Sequence, residues 1–547
     1  MGATRRIKMI QFLCHVLIIA VLVIPMRPNG TPGSLGSVSA QTLNPPRPLS
    51  DITAGLPALG EAAVDELSPA AERRLGEQVF SQLQAAGVVH DDPEATDYLT
   101  AQATLLVMAA QSRGDLLASG LKPEDFRFFW VREDSINAFA LPGGWIGVHT
   151  GLMTRTANEA ELMSVIAHEI AHVTQRHIAR QMGQSRQSMA VFLATAILAA
   201  AAASQSADAA MGLMSLGETL ALRNQLAFSR DAEREADRLG YSFMQTSGFD
   251  PAAMSGLFEK LSQAGRYYDD AAPVWLRTHP LSTERLSDAQ LRLSQLRAAG
   301  SSTARATRAD SLEFLFIRAR LLAQSGRDLE RSRSLRSRFE ARLQEALTPR
   351  EQALAGYGLA WVELALKAPD RAEAALQRVR LSLVGSSDAT VLGPLLARLE
   401  QAIAFDQGRF EQVIRLAEPI EGAWARTVSA RALARTRAEA WLMKGMPNAA
   451  IEALAQGVRQ WPADHEAWRL LARAYSADRR PAMAHWATAE SYALLGAYGA
   501  AIEQINLARR SEGADFQALS QMDARLVVFR AALKAQEPSE KRPSSDR

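Results

Sequence analysis

Cysteine is almost absent from this 547-residue chain, whose one thiol is Cys14. Cys14 lies inside an N-terminal apolar run, and the preceding Phe12 and Leu13 are not the small residues expected before a lipidated cysteine. A chain without a second cysteine cannot be stabilised by an internal disulfide, although it tolerates an oxidising compartment. We therefore treat Cys14 as incidental and expect the fold to depend on packing.

An excess of charge of one sign is also missing, because 61 basic and 59 acidic residues give a formal net charge of +2. This balance offers no argument for a nucleic-acid partner, and we expect none. The length, with 48% hydrophobic residues, predicts two or three domains with packed cores.

No apolar run reaches the roughly 20 residues of a comfortable transmembrane helix. The run over 10–24 follows a basic start and precedes small residues that end at Ala40, which predicts an export signal over 1–40, cleaved after about Ala40. An uncleaved membrane anchor is the alternative. The second run, 189–203, is Ala-rich and predicts a soluble helical hairpin that can contact a membrane surface.

The remaining pattern predicts a mainly α protein with a small β-sheet. Pro and Gly in 41–66 indicate a linker or extended arm, and helical patterning starts at Ser68 and continues to about Leu117. From about residue 157 onward the pattern is helix after helix. Three segments favour strands: FRFFWV (126–131), INAFA (136–140) and WIGVHT (145–150).

Residues 311–535 change to Ala/Leu/Arg-rich helical segments, which we interpret as an α-solenoid of degenerate tetratricopeptide repeats. A generic helical bundle is the alternative. Glycine turns at Gly408 and Gly445 are 37 residues apart, near the ~34 residues of such a repeat. A third turn lies at Gly496, and residues 536–547 are predicted to be a disordered tail. The first-helix pattern of the repeat is matched by Trp468, Leu471, Ala472 and Tyr475.

The stretch HEIAH places two histidines four residues apart on a predicted helix. Thr156 and Glu159 form a capping-box pattern that marks the start of this helix. His168 and His172 then project from one face and can bind a single Zn²⁺. Glu169 is placed to act as a general base beside that ion.

A third ligand must come from elsewhere. A metzincin would need glycine at position 175 and histidine at position 178, where this chain has Gln175 and Ile178. His177, nine residues after His168, would point to the opposite helix face, and we interpret it as a surface or structural histidine.

The stretch FSRDAEREADRLG (228–240) supplies a candidate. Glu233 and Asp237 share one helix face, so Glu233 can bind the metal while Asp237 accepts the N–H of a ligating histidine. A solvated charged helix is the alternative for such a run. Glu235 lies off that face and is left out.

HEIAH, EREAD and the upstream NAFALPGG resemble the gluzincin peptidases of the HtpX and CAAX-prenyl-protease family. With an export signal and C-terminal repeats, the chain is most similar to the BepA-like periplasmic proteases; the resemblance is strong over 137–240 and loose in the repeats. It implies a metalloprotease domain, which we place at 67–305. It also implies one Zn²⁺ per chain at His168, His172 and Glu233, with Glu169 as the base.

The resemblance implies two further features. The NAFALPGG segment would form an edge strand, made of Asn137, Ala138, Phe139 and Ala140, that pairs with the main chain of an extended substrate; an internal hairpin is the alternative. His279, in RTHPLSTERL, would cap the zinc as a fourth ligand and hold the enzyme shut. It could instead stabilise an oxyanion, or be an ordinary helix-capping loop histidine.

The expected function is that of a periplasmic zinc endopeptidase acting on unfolded or misassembled outer-membrane proteins. Its repeats would bind clients or the outer-membrane assembly machinery. The rival hypothesis is a periplasmic chaperone or scaffold with a latent or structural zinc site, against which the intact Glu169 argues. A cytoplasmic regulator would require that the N-terminal segment is not an export signal.

Overall fold

The computed structural model describes residues 67–117, 119–184, 230–267, 274–298, 308–326 and 328–536. Most of them, Ser68–Ile178 and Arg230–Arg530, form one compact unit. The predicted export signal with Cys14, the arm, the apolar run over 189–203 and the tail beyond residue 536 lie outside the described residues.

The first part of the chain combines helices with four short strands. Its elements are α1 (Pro69–Ala85), β1 (Val89–His90), α2 (Pro93–Ser112), β2 (Arg127–Val131), β3 (Ala138–Ala140), β4 (Trp145–His149), α3 (Thr150–Arg155), α4 (Glu159–Thr174), α5 (His177–Gln184), α6 (Arg230–Ser247), α7 (Ala252–Tyr267), α8 (Val274–Thr278) and α9 (Thr283–Ala298).

The second part of the described chain is helical. Its helices are α10 (Leu312–Gln324), α11 (Leu329–Glu345), α12 (Pro349–Ala365), α13 (Pro369–Ser382), α14 (Asp388–Asp406), α15 (Phe410–Leu416), α16 (Ala430–Met443), α17 (Pro447–Gln460), α18 (His465–Ala477), α19 (Pro481–Leu494), α20 (Tyr498–Arg510) and α21 (Phe516–Gln536). Together the two parts confirm the predicted class, mainly α with a small sheet.

The helical patterning predicted from Ser68 to about Leu117 corresponds to two helices, α1 and α2, because the chain turns after α1. Ser68 caps α1 as expected, accepting a hydrogen bond from the Ala71 N–H. Gly87 then adopts a φ of 70°, a left-handed conformation that glycine allows and that directs the chain into β1. The Asp92 side chain caps the restart at α2.

The sheet has the strand order β1-β2-β4-β3, with β2 and β4 parallel and the outer strands antiparallel to their neighbours. Segment 138–140 is therefore both one arm of a hairpin with β4 and an edge strand. In the hairpin turn, Gly143 has a φ of 75°, and a Cβ there would lie 2.5 Å from the Arg73 Cα on α1. This close approach explains why the turn carries glycine.

Helix α4 begins two residues later than its capping pattern predicts. The Asn158 side chain accepts the Glu161 N–H at 2.8 Å and is the N-cap. The predicted capping box of Thr156 and Glu159 is wrong, because the Glu159 carboxylate is held instead by the Tyr98 hydroxyl and by Ser311. The shift does not alter the four-residue spacing of the histidines.

Neighbouring helices of the second part pack as hairpins, and glycines with positive φ lie at the predicted turns: Gly408, Gly445 and Gly496. The apolar core does not break between the two parts. One cluster of buried side chains runs from Ala95 on α2 to Ile403 on α14. Within the part of the chain that the structure describes, no helix is long and apolar enough to cross a membrane.

Candidate metal centre

The centre forms where α4 crosses α6. Gly240 on α6 lies against the α4 backbone, so that a Cβ there would be 3.1 Å from both the Ala167 carbonyl carbon and the His168 nitrogen. This close packing brings the two sequence motifs together, with the α4 histidines facing Glu233. The charged stretch of α6 is thus buried on one face, and Glu233 is 1% exposed.

Four buried side chains converge on one point. His168, His172, Glu233 and His279 each offer a donor atom, and the four atoms lie within 4.8 Å of one another. The His168 and His172 Nε2 atoms are 2.9 Å apart, and the His279 Nδ1 lies 2.9 Å from Glu233 Oε1. Glu233 oxygens lie 3.4 Å and 3.5 Å from the Nε2 atoms of His168 and His172, respectively.

This donor set fits a tetrahedral metal ion. Donors placed about 2.0–2.1 Å from one ion are about 3.4 Å apart at tetrahedral corners, close to the separations here. In its neutral form, His168 carries the hydrogen on the Nδ1 that faces a carboxylate, which leaves a lone pair on Nε2 directed at the His172 Nε2. A metal ion, or a proton on His168 when no metal is bound, relieves the repulsion between the lone pairs of these two nitrogens.

His168 is held from behind by a buried ion pair. Its Nδ1 lies 2.9 Å from Asp237 Oδ1, and the Arg285 guanidinium binds both Asp237 oxygens at 2.7 and 2.8 Å. Burial opposes the charge on His168, but the hydrogen bonds that it donates to Asp237 and Glu233 raise its pKa to about 9. In the metal-free protein, His168 is therefore protonated at neutral pH.

The pKa values of two further donors, His172 and Glu233, are shifted in the direction that favours metal binding. Burial lowers the pKa of His172 well below its ordinary value, and the neighbouring His168 lowers it further. Burial opposes ionisation of Glu233, but His279 and His168 bring its pKa well below the usual range. The centre thus offers a neutral imidazole and a carboxylate, which are the forms that bind metals.

Glu169 lies beside the donors and is fully buried. Its Oε1 accepts a hydrogen bond from Trp275 Nε1 at 3.2 Å and lies 3.3 Å from His279 Nε2. Its Oε2 is buried without a hydrogen-bond partner among the described residues. The carboxylate is therefore next to the metal position, where a general base is needed, and is in contact with the segment that carries His279.

The segment over 274–285 covers the centre. Trp275 stacks on His279 with ring centroids 5.0 Å apart, and its backbone N–H donates to the Ile136 carbonyl at 3.2 Å. Arg285 donates to the Pro280 carbonyl and to Glu233. The segment thus joins the ligand helix to the start of the β3 edge. Of the predicted edge residues, Asn137 and Ala138 are buried, while Phe139 and Ala140 are partly exposed.

Of the two interpretations of His177, a surface or a structural histidine, the structure excludes the first. Helix α4 ends at Thr174 and Arg176 has a φ of 53°, so the nine-residue helical spacing from His168 does not apply. His177 is 2% exposed, and its Nδ1 lies 2.8 Å from the His172 Nδ1. Its Nε2 lies 3.0 Å from Glu235 Oε2, which brings in the acidic residue that the sequence analysis left out.

Trp275 and Arg285 were not among the residues predicted from the sequence. Trp275 lies just before the motif that contains His279, and Arg285 lies within that motif. The presence of a basic residue such as Arg285 could have been predicted, because three clustered carboxylates at 169, 233 and 237 need a buried cation to balance their charge. No such argument applies to Trp275, since its contact with Glu169 joins residues 106 positions apart.

Comparison with known proteins identifies a family and several relatives of this chain. Residues 108–293 match the sequence profile of peptidase family M48. The chain is 33% identical to the beta-barrel assembly-enhancing protease of Yersinia pestis, over 81% of this chain and 84% of that protein. It is 30% identical to the protein of the same name from Escherichia coli K12, over 90% and 95%. The mitochondrial metalloendopeptidase OMA1 of Arabidopsis thaliana is 33% identical over 32% of this chain and 33% of its own length.

Proposed function

This chain belongs to peptidase family M48 and is a metalloendopeptidase, and we propose that it is a zinc enzyme of the cell envelope that cuts unfolded or misassembled outer-membrane proteins. The observation that carries the proposal is the convergence of four buried donor atoms beside Glu169. A purely structural site has no need of a carboxylate base at this position.

We assign His168, His172 and Glu233 as the ligands of one Zn²⁺ per chain, and Asp237 as the group that orients His168. Bound zinc would polarise the scissile carbonyl as a Lewis acid and lower the pKa of a water bound to it to about 7. Glu169 takes a proton from the attacking water through its carboxylate and returns it to the leaving amine. Its burial beside the donors keeps this proton transfer away from bulk solvent.

We propose that the described state is a closed one. His279 Nδ1 points at the other donors and would supply a fourth ligand to a bound ion, while its Nε2 faces Glu169. Trp275 also donates to Glu169. One segment therefore occupies the position that a substrate carbonyl would need and engages the base. Opening requires that His279 and Trp275 move away together.

Substrate binding is proposed at the edge of the sheet. Among the residues that the structure describes, strand β3 pairs with β4 on one side only, so its other side can pair with an extended peptide main chain. Such pairing suits unfolded chains, because it engages the backbone and leaves most side chains unread. Trp275 already donates to Ile136 next to this edge, and its departure would free the start of the strand.

Export and client choice are proposed from the relatives and from the sequence pattern. The relatives are named as proteases that enhance β-barrel assembly, a process of outer-membrane proteins, and residues 1–40 resemble an export signal to the periplasm. We propose 67–305 as the protease domain and 311–535 as tetratricopeptide-like repeats that bind clients or the assembly machinery. A periplasmic chaperone with a latent zinc site is the second candidate, favoured by the closed centre.

The test is cleavage of an unfolded model protein by the purified full chain, after export and with zinc. Wild type and the His279→Ala variant are compared, each with and without Glu169→Gln. We expect faster cleavage by His279→Ala, because the fourth ligand position is opened and one contact to the base is lost. We also expect at least a 10²-fold loss in the Glu169→Gln proteins, since general-base catalysis contributes about that factor.

Chelator should abolish cleavage and added zinc should restore it. Bound zinc without cleavage by either protein would contradict the protease as proposed and support the chaperone candidate. Cleavage that survives Glu169→Gln would show that another group is the base.

A further inference from the structure

Behind the second histidine ligand, His172, lies a series of contacting side chains that supports it. The His172 Nδ1 lies 2.8 Å from the His177 Nδ1, with the two rings edge to face and their centroids 4.8 Å apart. The His177 Nε2 lies 3.0 Å from Glu235 Oε2. The His177 side chain is fully buried, whereas that of Glu235 is 31% exposed, so the chain runs from the metal position towards the surface.

The backbone places His177 there by an uncommon turn. Arg176 adopts a left-handed φ of 53°, which costs a non-glycine residue energy. Its Nε donates to Glu72 on α1 at 2.7 Å, and this ion pair supports the turn. Helix α5 therefore starts with His177 turned back against His172.

The direction of the hydrogen bonds follows from the far end of this chain. Glu235, when ionised, can only accept, so the His177 Nε2 carries the hydrogen and donates. The His177 Nδ1 then has a lone pair and accepts a hydrogen from the His172 Nδ1. This leaves the lone pair of His172 on Nε2, the atom that faces His168 and Glu233.

We propose that His177 and Glu235 are positioning residues that fix the tautomer and ring orientation of His172 for metal binding. The inference rests on the proposed metal site. His168 receives the same support directly, from Asp237 clamped by Arg285. The two histidine ligands thus depend on two carboxylates of α6, one in direct contact and one acting through a second imidazole.

Replacing Glu235 by glutamine should allow the wrong tautomer. A glutamine amide can donate to the His177 Nε2, and the hydrogen of His177 then moves to Nδ1 and points at His172. His172 would carry its own hydrogen on Nε2 and could no longer bind a metal there. The change preserves shape and lies at a partly exposed position, so that folding should be little affected.

The experiment measures zinc affinity of the full chain by competition with a chromophoric chelator, together with the absorption spectrum of the Co²⁺-substituted protein and the melting temperature of the metal-free protein. The variants are His177→Leu, His177→Gln and Glu235→Gln. The matched control is Asp231→Asn, on the same helix with a side chain 86% exposed.

We expect zinc binding to weaken by about 10- to 100-fold in His177→Leu and by about 10-fold in Glu235→Gln, the range seen when outer partners of metal ligands are removed. His177→Leu should also alter the Co²⁺ spectrum. His177→Gln should recover most of the affinity, since an amide can accept from His172 and donate to Glu235. Asp231→Asn should match the wild type.

Unchanged affinity and spectrum in both His177→Leu and Glu235→Gln would overturn the inference. So would a loss of affinity that His177→Gln fails to recover while the metal-free protein keeps its melting temperature. A wild-type chain that binds no zinc would contradict the proposed function itself, which keeps the two failures apart.

Discussion

At the scale of single residues, different interactions place the two ligand motifs and His177. HEIAH and EREAD could be recognised because four residues make about one helical turn, so each pair shares a face wherever the helix lies. Helical spacing could not place His177, because the helix ends just before Gln175 and Arg176, where the sequence has no glycine or proline to indicate an end. The end depends on an ion pair between Arg176 and Glu72, 104 residues away.

Another residue, the partly buried His90 on β1, makes stability depend on pH. Its Nδ1 accepts from the Arg132 guanidinium, and burial, opposed by Asp92 but aided by Arg132, lowers its pKa to about 4. In the unfolded chain, His90 has the ordinary histidine pKa of about 6.5. The stability that His90 contributes is therefore complete above pH 6.5 and is lost as the pH falls towards 4.

Because of His90, we expect the free energy of unfolding to be about 2 kcal/mol lower at pH 5 than at pH 7.5. His90→Gln keeps an acceptor for Arg132 but does not titrate. Urea unfolding of the metal-free protein at the two pH values should show a smaller loss in His90→Gln than in wild type. Equal losses would mean that the pKa of His90 is the same in the folded and in the unfolded protein.

At the scale of elements, the crossing of α4 and α6 sets the distance between the ligands. Sequence patterning predicted both helices, and Glu233 as the partner of the two histidines was a hypothesis because periodicity does not say which helices touch. Gly240 is the residue that permits the close crossing, and a glycine inside a helical pattern has no sequence signal that separates packing from chance.

The variant Gly240→Val should push the helices apart. Overpacking at such a contact costs about 1–3 kcal/mol, and the shift should also weaken zinc binding because Glu233 moves away from His168. Gly256→Val on α7 is the matched control, since no atom of another described element lies within 4 Å of its added Cβ. Urea midpoints and zinc affinity of both variants test this; equal values in the two would refute the role of Gly240.

At the scale of the whole molecule, the proposed protease domain and the proposed repeats are joined by buried charge as well as by the shared core. Arg320 on α10 binds both oxygens of Asp92 at 2.6 and 3.0 Å and lies 3.0 Å from Glu94 Oε2. Burial opposes the charge on Arg320, but Asp92 and Glu94 raise its pKa. Sequence analysis placed these residues in separate domains and had no means to pair them.

We expect Arg320→Met to lower the free energy of unfolding by about 3–5 kcal/mol, because two buried carboxylates lose their cation. Arg350→Met is the control, since its ion pair with Asp388 is exposed and should cost about 1 kcal/mol or less. Adding Asp92→Asn to Arg320→Met should recover part of the loss. Urea unfolding measures all four proteins, and similar losses from the two arginine changes would contradict a buried pair.

The core that runs from Ala95 to Ile403 has a consequence for how the protein is made. The ribosome releases His172 roughly 230 residues before Ile403, which is on the order of 10 to 50 seconds at ordinary rates of synthesis. During that interval the histidine pair exists without its packed surroundings. A nascent chain interrupted before the first repeats would carry the complete catalytic motif without the part of the core that the repeats supply.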